Sequence, residues 1–106
     1  MLKRETRPAG PVLTVTPNWP APGGVRACTT CRGGGFSRSP YQSLNLAGHV
    51  GDDPQVVEAN RQRAAGALSL PGAPVWMRQV HGADVIDAAC AGSDPLADGA
   101  YATRTG

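Results

Sequence analysis

Apolar residues recur at helical spacing in one stretch of the chain, where Val57, Ala64 and Leu68 form a narrow stripe with Asn60 inside it. Asp53 stands before the stripe as an N-cap. Pro54 suits the first helical position, where its missing N–H costs nothing, and Pro71 lies past the far end. These signals predict one clear helix from Asp53-Pro54 to about Leu68, with Arg61 and Arg63 facing solvent. Elsewhere the period is two. Val25 to Cys31 alternates Val25, Ala27 and Thr29 against Arg26, Cys28 and Thr30, which predicts a strand. Val12 to Thr16 predicts a shorter one. Val75 to Val80 reads as a strand running into a tight turn at His81-Gly82, and Leu96 to Thr103 leads into another, with residues 103–106 as the turn after it.

The connectors are rich in turn residues. Pro17 to Gly24 carries Trp19, which is expected to pack on a core edge. Gly33 to Phe36 reads as a flexible loop. Ser37 to Gly51 is a long segment anchored by Leu44 and Leu46, with Asn45 pointing away from the side they bury, and Asp87 to Pro95 is irregular.

Composition fits this picture. Fourteen glycines and ten prolines in 106 residues mean many loops and short strands. A chain this long buries roughly 60–65% of its unfolded surface, and its small core and abrupt end predict that it does not fold unaided. The net charge of +2, with no basic run, argues against nucleic acid as a partner. Met1-Leu2-Lys3-Arg4 is not followed by an apolar run, and no segment approaches the roughly 20 apolar residues that span a bilayer. Three cysteines, an odd number, fit a reducing compartment, so the chain reads as a cytoplasmic protein without membrane contact.

Several residues carry candidate chemistry. Gly82 tolerates positive φ, so the chain can reverse there and leave His81 projecting, where an imidazole can ligate a metal or move a proton near neutral pH. The Cys28-Thr-Thr-Cys31 pair is a weaker candidate. Residues three apart on a strand point to opposite faces, and there is no second pair to complete a zinc site. The glycines after Arg32 have amides an anion can approach, but they lack both the P-loop ending and the dinucleotide spacing.

Four blocks taken together resemble one family: Cys28 to Ser37 (CTTCRGGGFS), Pro40 to Pro54 (PYQSLNLAGHVGDDP), Glu58 to Arg61 (EANR) and Trp76 to Val85 (WMRQVHGADV). Ala97-Asp98-Gly99-Ala100 fits as well. The resemblance is to the bacterial laccase-domain, or polyphenol-oxidase-like, proteins. Members are also described as zinc-dependent purine nucleoside phosphorylases with adenosine deaminase activity, and some as peptidoglycan editing factors. It covers about Trp19 to Gly106.

The resemblance implies an α+β fold, a mixed β-sheet with a single helix forming part of a larger αββα-layered domain. Residues 1–18 would be a loose leader, and 19–106 the N-terminal part of the family domain. It implies that His81 is a zinc ligand and catalytic. The family's other two ligands, in Thr-Ala-Asp-Cys and His-Ala-Gly-Trp-Arg-Gly motifs, do not occur here and are expected beyond Gly106. Arg32 with the loop amides would hold phosphate, and Asn45 and His49 would contact a purine nucleoside or place a proton. The 106-residue chain is accordingly expected to be inactive alone. Two alternatives stand beside this reading: copper-dependent oxidation of phenols, and a non-catalytic chain that binds a partner.

Overall fold

The computed structural model describes residues 7–92 and 95–104. Its elements in chain order are β1 (Thr14–Val15), β2 (Thr29–Thr30), α1 (Pro54–Ala67), β3 (Val85–Asp87), a 3-10 turn (Ala88–Cys90) and β4 (Gly99–Tyr101). The expected α+β class is what the chain shows. Strands β1 and β2 pair antiparallel, with Thr14 opposite Thr30 and Val15 opposite Thr29, and β3 pairs parallel with β4, with Ile86 opposite Ala100.

The expected helix forms where the local signals put it. Asp53 is the N-cap, its carboxylate accepting from Gln55 N at 2.9 Å, and Pro54 takes the first turn. At the other end the Leu68 N–H bonds Ala64 O, and Ser69 enters the left-handed region at φ 53°. Arg26 then donates to Leu68 O at 2.9 Å, placing a cation on the exposed carbonyls of the helix terminus.

The strands are shorter than the alternation predicted. Val75 to Val80 does not become a strand: its one ladder contact is the parallel bridge of Arg78 with Leu96, held by Arg78 N to Pro95 O at 2.8 Å and Ala97 N to Arg78 O at 3.0 Å. Val75 and Val80 stay exposed, so no apolar face drives pairing further along. From Val25 to Cys31 only Thr29–Thr30 pairs, because its partner β1 is two residues long. Part of the irregular 87–95 segment is ordered, with Asp87 closing β3 and capping the 3-10 turn through Ala89 N. Of the turn expected at 103–106, Thr105 and Gly106 lie outside the described residues, as does the start of the chain before Arg7.

The core gathers Leu44, Val56, Val57, Ala64 and Ala97. Trp19 does not join it. The residue is 52% exposed beside an open groove that Thr14, Val25, Arg26 and Leu70 also line. The radius of gyration, 14.7 Å, exceeds the roughly 13 Å of a compact domain this long, in keeping with so small a core.

The two helix arginines are not solvated as expected. Arg61 donates to Leu46 O at 2.9 Å and lays its guanidinium 4.4 Å over the Trp76 ring. Arg63 donates to Gly34 O and to Gly10 O. Both reach backbone carbonyls far away in sequence, which helical periodicity cannot register. The first tethers the long loop and the Trp76 segment to α1. The second, with Ala9 N to Gly35 O and Gly34 N to Ala9 O, tethers residues 9–10.

Candidate functional site

The turn at residues 80–84 is built around one carboxylate. Asp98, just before β4, accepts four backbone N–H bonds from it: Val80 at 3.2 Å and His81 at 2.7 Å through Oδ1, Gly82 at 2.9 Å and Asp84 at 3.4 Å through Oδ2. The link also runs the other way, with Asp98 N and Gly99 N donating to Asp84 O. Burial pushes the Asp98 carboxyl up, but the bonds from Gly82, His81, Asp84 and Val80 outweigh it and hold it below the ordinary 3.8.

The reversal differs in one respect from the sequence expectation. His81, not Gly82, takes the positive φ, at 59°. Histidine is among the few non-glycine residues enriched in this region, yet the conformation still costs on the order of 1 kcal/mol and persists only where surroundings enforce it. The four amide bonds to Asp98 do so. His81 itself is exposed at the tip of the turn.

The second cluster sits where the long loop meets α1. Asn60 is fully buried. Its Oδ1 accepts from Phe36 N at 2.8 Å, and its Nδ2 donates to Ser37 Oγ at 2.8 Å and to Asn45 O at 2.9 Å. Ser37 Oγ donates onward to Asp52 at 2.6 Å, and Asn45 Nδ2 reaches the same carboxylate oxygen at 3.1 Å. Burial raises the Asp52 carboxyl, but the donors Ser37, Asn45 and Asp53 N prevail and hold it below 3.8.

This network uses groups to which the sequence assigned other work. Asn45 Oδ1 accepts from Ala47 N, so both ends of its amide are engaged inside the loop. Gly34 and Gly35 are buried, and the amides from Gly34 to Ser37 bond Ala9 O, Ser43 Oγ, Asn60 Oδ1 and Ser43 O in turn. The glycine loop is therefore a packed crossing and not an open anion cradle. A Cβ on Gly35 would lie 2.6 Å from Asn60 Oδ1 and 2.7 Å from Leu44 Cα, which explains the glycine there. Arg32 is exposed, with Nε 3.3 Å from Gln42 O. His49 is half-buried in the same loop.

The described residues do not by themselves build a metal centre. No group of three or more His, Cys, Asp or Glu side chains among them is arranged to hold an ion. His81 offers one imidazole where catalytic zinc takes three protein ligands. Cys28, Cys31 and Cys90 are free thiols. Sequence reasoning missed Asp98 as the anchor of the histidine turn, although it lies in the Ala-Asp-Gly block that carries part of the resemblance. Asn60 carried a signal, being a polar side chain inside an apolar stripe.

Comparison with known proteins defines the class. The profile of the multi-copper polyphenol oxidoreductase laccase family matches residues 26–106, which take in the histidine turn, its Asp98 anchor and the Asn60 crossing, and the chain belongs to this family. Among its relatives, purine nucleoside phosphorylase YfiH of Escherichia coli (strain K12) is 54% identical over 72 residues, covering 68% of this chain and 30% of that protein. Purine nucleoside phosphorylase PA4543 of Pseudomonas aeruginosa is 53% identical over 74 residues, covering 70% of this chain and 30% of that one. The crystal structure of Neisseria meningitidis protein NMB0706 superposes with a TM-score of 0.67 at 42% identity, covering 84% of this chain and 36% of that one. The chain thus spans about 30% of the length of these curated relatives. No helix among the described residues is long and apolar enough to cross a membrane.

Proposed function

We propose that this chain is the N-terminal portion of a zinc-dependent purine nucleoside phosphorylase, which cleaves adenosine, inosine or methylthioadenosine with phosphate and also deaminates adenosine. The observation that carries this is the identity above 50% to proteins named purine nucleoside phosphorylase, beside a family match over residues 26–106 that includes the His81 turn. His81 is the working imidazole of this portion. Exposed Arg32 would be the phosphate partner, and half-buried His49 would contact the nucleoside or place a proton, with Asn45, its amide engaged inside the loop, shaping that side. When bound, zinc would supply Lewis-acid polarisation. Its remaining protein ligands would come from further along the native polypeptide, as the resemblance implies; among the described residues no group is arranged to hold an ion. The 106-residue chain alone is inactive in this account. We also place the protein in the cytoplasm, on the strength of its three free thiols.

The test is base release from inosine by the polypeptide purified from its own cells, with and without phosphate. Release that requires phosphate and is lost in His81→Ala supports the proposal. Release that ignores phosphate, or that survives His81→Ala, refutes it. The copper oxidase reading rests on the family's description. Copper-dependent oxidation of a phenol, with no base release, would put that reading in its place.

A further inference from the structure

We infer that Asp98 is the positioning residue of this site: by gathering four amides of the 80–84 turn on one carboxylate, it sets the left-handed backbone of His81 and hence the direction in which the imidazole leaves the chain. This rests on the reading of His81 as the working imidazole.

Three observations converge on it. First, no single hydrogen bond fixes the turn. Both Asp98 oxygens are used, each by two amides, so neither rotation of the carboxylate nor slippage of the turn keeps the set intact. Second, the shortest of the four bonds, 2.7 Å, falls on the amide of His81, the residue with φ 59°. The strained residue and the most tightly held one coincide. Third, the anchor is itself fixed. Asp98 N bonds Asp84 O at 2.8 Å at the point where β3 and β4 begin to pair, so the turn and its anchor belong to one parallel β unit. The imidazole ring makes no bond to Asp98 in this arrangement. The effect passes through the backbone, which distinguishes it from a carboxylate that orients a histidine ring directly.

Chemistry dictates how the anchor fails. Asp98→Asn keeps one oxygen acceptor and replaces the other with an amino group, so two of the four donors face a donor. The turn then relaxes towards negative φ at His81, while the β3–β4 backbone bonds persist. Asp98→Ala removes all four acceptors.

The experiment compares the wild-type native polypeptide with Asp98→Asn, Asp98→Ala and His81→Ala, by amide NMR and by steady-state phosphorolysis. In the wild type His81 should show the strong intraresidue amide–Hα Overhauser effect of a positive-φ residue, with the Gly82 and His81 amides shifted downfield by the carboxylate. In Asp98→Asn those signatures should vanish while the α1 amide pattern stays unchanged, and kcat should fall about 10–100-fold with little change in KM, the range typical for supports of a functional ligand. If Asp98→Ala does not fold, Asp98→Asn alone decides. A wild-type His81 signature retained in Asp98→Asn overturns the inference, and so does an unchanged kcat in Asp98→Asn where His81→Ala loses turnover. Loss of the signature with unaltered His81→Ala turnover would leave the backbone anchor standing but remove its catalytic meaning, which is a failure of the functional reading and is separately visible.

Discussion

Replacing Asn60 with alanine should cost the chain a large share of its stability. The side chain is fully buried and makes three hydrogen bonds, to Phe36 N, Ser37 Oγ and Asn45 O. Ser37 Oγ keeps a partner in Asp52 after the change, so its loss is small. The Phe36 N–H and the Asn45 carbonyl, part-buried beside the fully buried Asn60, are left without theirs, at about 1–2 kcal/mol each. The vacated volume adds about 1 kcal/mol. The sum, roughly 3–5 kcal/mol, is a substantial fraction of the 5–15 kcal/mol typical of a folded domain. Urea unfolding of the native polypeptide, followed by tryptophan fluorescence, reads it as a lowered midpoint at unchanged slope. Asn60→Asp is the sharper control, because it conserves shape. Its carboxylate would still accept from Phe36 N, but its second oxygen would face the Asn45 carbonyl and a serine hydroxyl whose proton already goes to Asp52. It should therefore cost about as much as alanine near neutral pH. A loss below about 1 kcal/mol for alanine, or a neutral aspartate, would refute the claim that hydrogen bonding at this crossing holds the long loop on α1.

Two further predictions concern the helix end and pH. Ser69 holds φ 53° just past α1, so Ser69→Gly should raise stability by about 1 kcal/mol in the same urea assay, whereas no gain would mean the position is unstrained in solution. Asp52 has its carboxyl held below 3.8 in the fold, so its contribution is fully present above the unfolded value and is lost as pH falls through the lower folded value. Acid titration of wild type should thus show stability falling below about pH 4, with that fall reduced in Asp52→Asn; identical acid profiles would remove Asp52 from the network.

What the sequence made legible was local. Asp53, Pro54 and the spacing of Val57 and Ala64 specify α1 because capping and periodicity act within a few residues. The strands were overextended because alternation says which face a residue can show, not whether a neighbour exists to pair with it. Val75 to Val80 alternates well and gains one bridge. Arg61 and Arg63 were misplaced for a related reason: their acceptors, Leu46 O and Gly34 O, are backbone atoms that no side-chain pattern marks. At the candidate site, the sequence singled out His81 and its turn but put the left-handed residue one position late. What forces the histidine there is Asp98, sixteen residues beyond Gly82, through bonds visible only once β3 and β4 are side by side.

The most direct test of the central claim is to assay phosphate-dependent base release from inosine in parallel, with zinc supplied, for residues 1–106 alone and for the polypeptide as made in its own cells. The account predicts turnover by the native polypeptide and none by residues 1–106, whose described part brings His81 but no group of side chains arranged around it to hold a metal. Phosphorolysis by residues 1–106 alone at the native rate would contradict it, showing that the chain closes its own site.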